Sequence, residues 1–240
     1  MVFPRLLLAT ILITICFINI SAISEAQPDH SLGDWQIVVL KGRFTPKWSI
    51  LCEEQIRNNN SDYTLKYDYL ESKAGIYYAI SGNLWGAIGA GYFDKYTTGG
   101  FFHSPELQKE VRTWLELYYK FGQSRIIIDH RLRLEQRYMP QIYKNRVKYR
   151  LGFIAPLNKP QIKVNSLYLA VNDELFIPQY GPLIERNYFF AGAGYVLTGN
   201  MALQIGCLKD SNYQTGNHTV KNYLQVILIY DFTNLMKKRT

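Results

Sequence analysis

The stretch Ser124–Tyr138, SRIIIDHRLRLEQRY, sorts its residues by type at every second position. Arg125, Asp129, Arg131, Arg133, Glu135 and Arg137 fall on one parity; Ile126, Ile128, Leu132, Leu134 and Tyr138 fall on the other. A helix would scatter these charges around its circumference, whereas a strand sends successive side chains to opposite faces. The alternation therefore predicts a strand with one apolar and one heavily charged face. It runs for about fifteen residues, against a usual strand of about 5–6 and the roughly 9–11 tilted residues that already cross a bilayer.

The same alternation recurs on both sides of this stretch. Strands are expected over 34–44, 48–57, 67–80 and 84–96, the first two joined at Thr45-Pro46-Lys47 and the next two at Ser81-Gly82-Asn83. Proline and glycine suit such connections because they preset or free the backbone of a tight turn. Further strands are expected over 111–121, 145–155, 161–176 with a bulge near Ser166, 186–198, 201–210 and 220–232. Residues 94–107 and 177–185 read as loops, and short and long connections alternate along most of the chain. Counted with the opening stretch these make eleven strands, whereas bacterial single-chain barrels have even numbers, so ten to twelve is the expectation. The predicted fold is all-β: a single antiparallel up-and-down transmembrane β-barrel spanning 27–232.

The flanks read differently. Residues 1–26 combine Arg5, the uncharged apolar run Leu6–Ile20 and the small residues of Ser24-Glu25-Ala26, the pattern of a secretory signal peptide. Residues 233–240, TNLMKKRT, read as a short basic periplasmic tail. No later apolar run is long enough for a spanning helix, so any further span must be made of strands. The chain has 27 Lys and Arg against 19 Asp and Glu, a formal charge of +8. That excess is spread through strand-like segments with no basic run longer than three, and with export it excludes nucleic acid as a partner. Nineteen Tyr and twelve Phe suit strands and a membrane boundary. Beyond the signal only Cys52 and Cys207 remain, both on apolar parities, which favours free thiols over a disulfide.

Alternation alone does not say whether the apolar face meets lipid or a core, and a soluble secreted ligand-binding barrel has the same period. Strand length, alternating connection length and an apolar terminal strand ending at Phe232 point to a membrane barrel. Export to that membrane makes outer-membrane lipids and the barrel assembly machinery its partners. The segments His130–Tyr138 (HRLRLEQRY), Val147–Phe153 (VKYRLGF), Asn172–Phe176 (NDELF) and Arg186–Tyr195 (RNYFFAGAGY) resemble the recurring blocks of an outer-membrane barrel family catalogued as domain of unknown function 2490. The resemblance implies a Gram-negative outer-membrane β-barrel, and since that family has no assigned activity it carries over no catalytic residue.

Chemical motifs are sparse. His103-Ser104, and His218 with Ser211, are the only pairs suggesting the activated hydroxyl of a lipid hydrolase or deacylase. Adjacent residues on a strand point to opposite faces, which weighs against the first pair. His130 falls where lipid is expected. The glycines 89–91 and 192–194 lie in strands without the following helix of a phosphate loop. No Cys/His cluster has metal spacing, and the paired carboxylates Glu53-Glu54 and Asp173-Glu174 diverge as strand neighbours. No enzyme and no cofactor are expected.

What remains is the lumen. Arg125, Arg131, Arg133, Arg137, Arg146, Lys148 and Arg150 face Asp129 and Glu135, an excess of five positive charges on one expected wall. Glu116 is an expected partner for part of it, Glu174 is expected to face inward to an Arg, and elsewhere the inward charges nearly cancel, Glu174 against Arg186 among them. Burying that excess unpaired would be very costly. The expectation is a mostly occluded lumen with a narrow path for water and small anionic solutes.

Overall fold

The computed structural model describes residues 28–59, 67–97, 106–123, 125–214 and 217–233. The expected signal peptide, the tail beyond Thr233 and the pair His103-Ser104 lie outside the described residues. Eleven strands form: β1 (Pro28–Arg43), β2 (Trp48–Asn58), β3 (Tyr69–Ala79), β4 (Leu84–Tyr96), β5 (Glu106–Gln123), β6 (Ile126–Met139), β7 (Ile142–Pro156), β8 (Leu167–Pro178), β9 (Arg186–Val196), β10 (Met201–Gln214) and β11 (Asn217–Asp231). Each pairs antiparallel with the next, and β1 lies parallel to β11, closing the barrel. Strands that alternate up and down in odd number bring the first and last strand together pointing the same way. The seam is in continuous register from Leu32↔Asn222 to Lys41↔Asp231.

The organising stretch becomes β6, held against β5 from Val111↔Tyr138 and against β7 as far as Met139↔Ile142. Its apolar parity points out of the barrel. Leu132 is 42% exposed, Leu115 on β5 54% and Ile88 on β4 60%. Its charged parity points inward, where Glu135 is 2% exposed and Glu110 of β5 1%. Polar side chains on the outer face answer one another: Ser72 donates to Glu54 at 2.5 Å, Asn187 to Asp173 at 2.6 Å and Thr113 to Gln136 at 3.1 Å.

Three local expectations are corrected. The alternation of short and long connections does not hold through the second half. The β6–β7 turn is only Pro140-Gln141, because Pro140 presets the turn backbone, while β7 and β8 are separated by 157–166. Second, Gln161–Ser166 is not strand. Asn165 adopts a left-handed φ of 61°, which asparagine tolerates, and the Ser166 amide donates to Lys163 O at 2.9 Å. The parity slip near Ser166 is thus the end of a turn and not a bulge. Third, β10 and β11 run on to Gln214 and from Asn217, since Asn212↔Thr219 and Tyr213↔His218 extend their ladder.

The lumen is divided in character. Around β1 and β8 to β11, Trp35, Ile37, Tyr168, Ala170, Phe190, Leu208 and Tyr223 form a buried apolar cluster, joined by Ile162 from the β7–β8 connection. The glycines of β9 and β10 make room for it. Gly192 faces Gly206 across the ladder, and a Cβ on either would fall 2.7 Å from the Phe190 ring. On the other wall, Trp114 lies flat over Gly89, where a Cβ would meet its ring at 2.3 Å.

Candidate functional site

The charged wall is built by β5 to β8, and its register creates a problem that the carboxylates solve. Arg112 lies directly opposite Arg137, Arg131 opposite Arg150 and Arg133 opposite Lys148. Like charges in such positions repel. One carboxylate bridges the first pair, Glu110 receiving Arg112 at 2.6 Å and Arg137 at 2.5 Å; the other two pairs are answered member by member, Glu174 receiving Arg131 at 2.7 Å from one and Lys148 at 3.4 Å from the other. Glu116 takes Arg133 at 2.6 Å and a hydrogen bond from the Tyr77 hydroxyl at 3.0 Å. Glu135 takes Arg146 at 2.5 Å, and Asp129 takes Arg150 at 2.8 Å.

Asp129, Arg131, Arg133, Glu135, Arg137, Arg146, Lys148, Arg150, Glu116, Glu174 and Arg186 all border the lumen. Arg125 does not. It precedes β6 in the turn, and its guanidinium donates to the carbonyls of Pro156 at 3.2 Å and Lys159 at 2.8 Å, tying two turns together at the rim. Glu174 faces inward to an arginine as expected, Arg131 at 2.7 Å, and does not meet Arg186. Arg186 sits 3.5 Å from Asp210 on β10, because Glu174 is already enclosed by Arg131 and Lys148 from the other side. Two participants escape sequence reading. Glu185, in the connection before β9, reaches Arg146 at 2.8 Å, and only tertiary folding returns that connection over the mouth. Arg57 lies one residue before the end of β2 on the parity of Glu53 and Gln55, a signal present in the sequence, but its partners come from other strands.

The remaining candidates are dispersed. Ser211 and His218 both face outward on β10 and β11. His218 stacks on Tyr213 with ring centroids 4.5 Å apart, and its Nε2 has no hydrogen-bond partner, so it does not activate the Ser211 hydroxyl. His130 is outward, with Nδ1 2.8 Å from the Tyr149 hydroxyl. Cys52 and Cys207 are free thiols on the outer face. Glu53 turns inward to Lys73 at 2.7 Å while Glu54 turns outward. Among the described residues no group of three or more His, Cys, Asp and Glu side chains could hold a metal ion. Outside the strands, burial pushes the Asp68 carboxyl up from its ordinary range, against the Asn59 amide that donates to it at 3.2 Å.

A cavity of about 980 Å³ occupies the lumen and touches all eleven strands. At the end that carries the β6–β7 and β8–β9 connections, a second cavity of about 400 Å³ is bordered by Arg112, Arg137, Lys144, Arg146 and Arg186, with Glu185 the one carboxylate on its border among the described residues. Arg112, Arg137, Arg146 and Arg186 border both, so the outer cavity is a basic vestibule to the inner one.

A family model described as a protein of unknown function, DUF2490, matches residues 32–221. No curated protein and no solved structure matches the chain.

Proposed function

Since the chain belongs to the DUF2490 family, whose description carries no activity, we propose a function from its own residues: a non-catalytic outer-membrane barrel of a Gram-negative bacterium that admits small anionic solutes to a narrow lumen. The observation that carries this reading is the basic vestibule: among the described residues on its border Lys144 stands exposed without an ion pair, beside four arginines whose carboxylates, Glu110, Glu135, Glu185 and Asp210, leave the mouth one positive charge in excess. Fields focused by a low-dielectric wall of one sign concentrate the opposite ion at the mouth. Deeper in, most of the arginines are already answered by carboxylates, so the charge excess acts at the entrance and not along the whole path.

Support for the membrane placement comes from the outer face. Val111, Leu115, Leu117, Tyr119 and Phe121 follow one another on β5 beside Leu132, Leu134 and Tyr138 on β6. From Phe121 to Val111, a rise of about 3.3 Å per residue and a tilt of about 40° give a band about 25 Å tall, the height of the apolar belt of an outer-membrane barrel. Aromatic rings gather at both ends, with Trp48 and Tyr78 4.8 Å apart at one and Tyr138 and Tyr143 5.2 Å apart at the other, where amphipathic rings sit at a membrane boundary.

Planar-bilayer recording tests the reading. Small, anion-selective conductance is expected, and Lys144→Glu, which reverses an exposed vestibule charge without touching a buried pair, is expected to weaken the selectivity. Large cation-selective channels, or selectivity indifferent to Lys144→Glu, would remove the vestibule from the path.

A further inference from the structure

The lumen arginines of β5 to β9 each hold a carboxylate within 4.0 Å. Arg57 on β2 holds none among the described residues. It is 7% exposed and borders the inner cavity. Its guanidinium carbon lies 3.6 Å from the centre of the Trp35 ring, 4.5 Å from that of Tyr69 and 5.2 Å from that of Tyr223. Ring faces stacked on a guanidinium stabilise its charge but accept nothing from its N–H groups, which lie in the plane and point out from its edge; of the three rings, Tyr223 also brings its hydroxyl within hydrogen-bond reach of the guanidinium. The Nε–H is buried without a hydrogen-bond partner. A buried charged donor left in that state is costly, and the terminal N–H groups of a planar guanidinium are a pair that a carboxylate fits with two parallel bonds.

The surroundings narrow the ligand further. Arg186 lies near enough to repel Arg57, but it carries Asp210 at 3.5 Å. Asp68 and Asp210 both lie near enough to act on Arg57, and these two carboxylates oppose a dianion such as phosphate more than a monoanion. Beside the guanidinium the cavity continues along Ile37 and Leu208, with the Tyr188 ring edge-on to Trp35 at 5.4 Å. Apolar walls with one fixed polar anchor are the usual make-up of a small-molecule site.

We propose that Arg57 anchors a binding site for a small organic monocarboxylate with an apolar body, whose carboxylate completes the buried guanidinium and whose body lies against Trp35, Ile37 and Leu208. The site rests on the reading that small anions reach the lumen through the vestibule, but binding is measured without a bilayer, so the two fail separately. Protein folded in detergent micelles is titrated calorimetrically with benzoate, phosphate and chloride at constant ionic strength, following tryptophan fluorescence in parallel. Benzoate is expected to bind, phosphate and chloride to bind at least tenfold more weakly, Arg57→Gln to lose at least tenfold in benzoate affinity, and Arg57→Lys to recover part of it, since lysine restores the charge but not the planar pair of N–H groups. In the unaltered protein, benzoate is expected to slow modification of Arg57 by phenylglyoxal, mapped by mass spectrometry; this measurement decides the matter if the variants do not fold. Phosphate binding as tight as benzoate would overturn the ligand class. Unchanged affinity in folded Arg57→Gln, or no protection of Arg57, would overturn the site. Absence of benzoate binding in a protein that conducts anions would overturn the site and leave the path standing. Binding without conductance would support the site and reject the path.

Discussion

At the scale of the residue, the molecule depends on carboxylates that serve two cations each. Glu110 is 1% exposed between Arg112 and Arg137. Removing its charge leaves two buried guanidinium groups facing each other across β5 and β6. Glu110→Gln is expected to lower the unfolding free energy by about 3–5 kcal/mol, the cost of breaking a buried pair by removing one partner, read from urea titrations in micelles. Glu185 also bridges two arginines, at 2.8 Å and 3.9 Å, but its side chain is 26% exposed. There, water replaces the lost carboxylate, and Glu185→Gln is expected to cost less than about 1 kcal/mol. Equal losses in the two variants would mean that burial does not set the strength of these pairs.

At the scale of the element, the β7–β8 connection and the glycine-bearing strands β9 and β10 fill the apolar side of the lumen. Ile162 descends from the connection onto the cluster that includes Phe190 and Tyr168, and the rings can lie against the wall because Gly192, Gly194 and Gly206 present no Cβ to them. Phe190, 1% exposed, is the largest side chain so enclosed. Phe190→Ala is expected to cost about 3–5 kcal/mol through the lost contacts and the cavity left behind. In planar bilayers it is expected to raise conductance while leaving anion preference unchanged, because it alters width and no charge. A variant whose conductance matches the unaltered protein would place the constriction elsewhere.

At the scale of the whole molecule, closure leaves no free edge, and every ladder bond is internal. A barrel held in this way in a membrane resists detergent until heated, so unheated and boiled samples are expected to migrate differently on a detergent gel and the protein to fractionate with outer membranes. The outer face supplies a sharper comparison. Leu132, 42% exposed near the middle of the apolar band, would meet lipid in a membrane barrel and water in a soluble one. Leu132→Arg is expected to cost about 2–4 kcal/mol when folding is measured into lipid vesicles. A neutral or solubilising effect, with no gel shift, would reject the membrane placement in favour of a secreted barrel.

The sequence by itself determined the strands and their faces, because a side-chain period of two survives in one dimension: the parity of Arg131, Arg133, Glu135 and Arg137 is legible in β6 before any partner is known. It also determined the eleven segments, within the expected ten to twelve, whereas the parallel β1–β11 seam that an odd number requires is a property of closure. Tertiary structure decided what each charge meets. Glu174 turned to Arg131 and Lys148, not to Arg186, and Arg125 left the wall for the carbonyls of a neighbouring turn, because stagger between strands places diagonal neighbours that no parity count contains. Arg57 shows the same limit most clearly. Its inward parity is readable, but Trp35, Tyr69 and Tyr223 arrive from three other strands. Only the closed barrel brings β1, β2, β3 and β11 around one guanidinium at the border of the inner cavity.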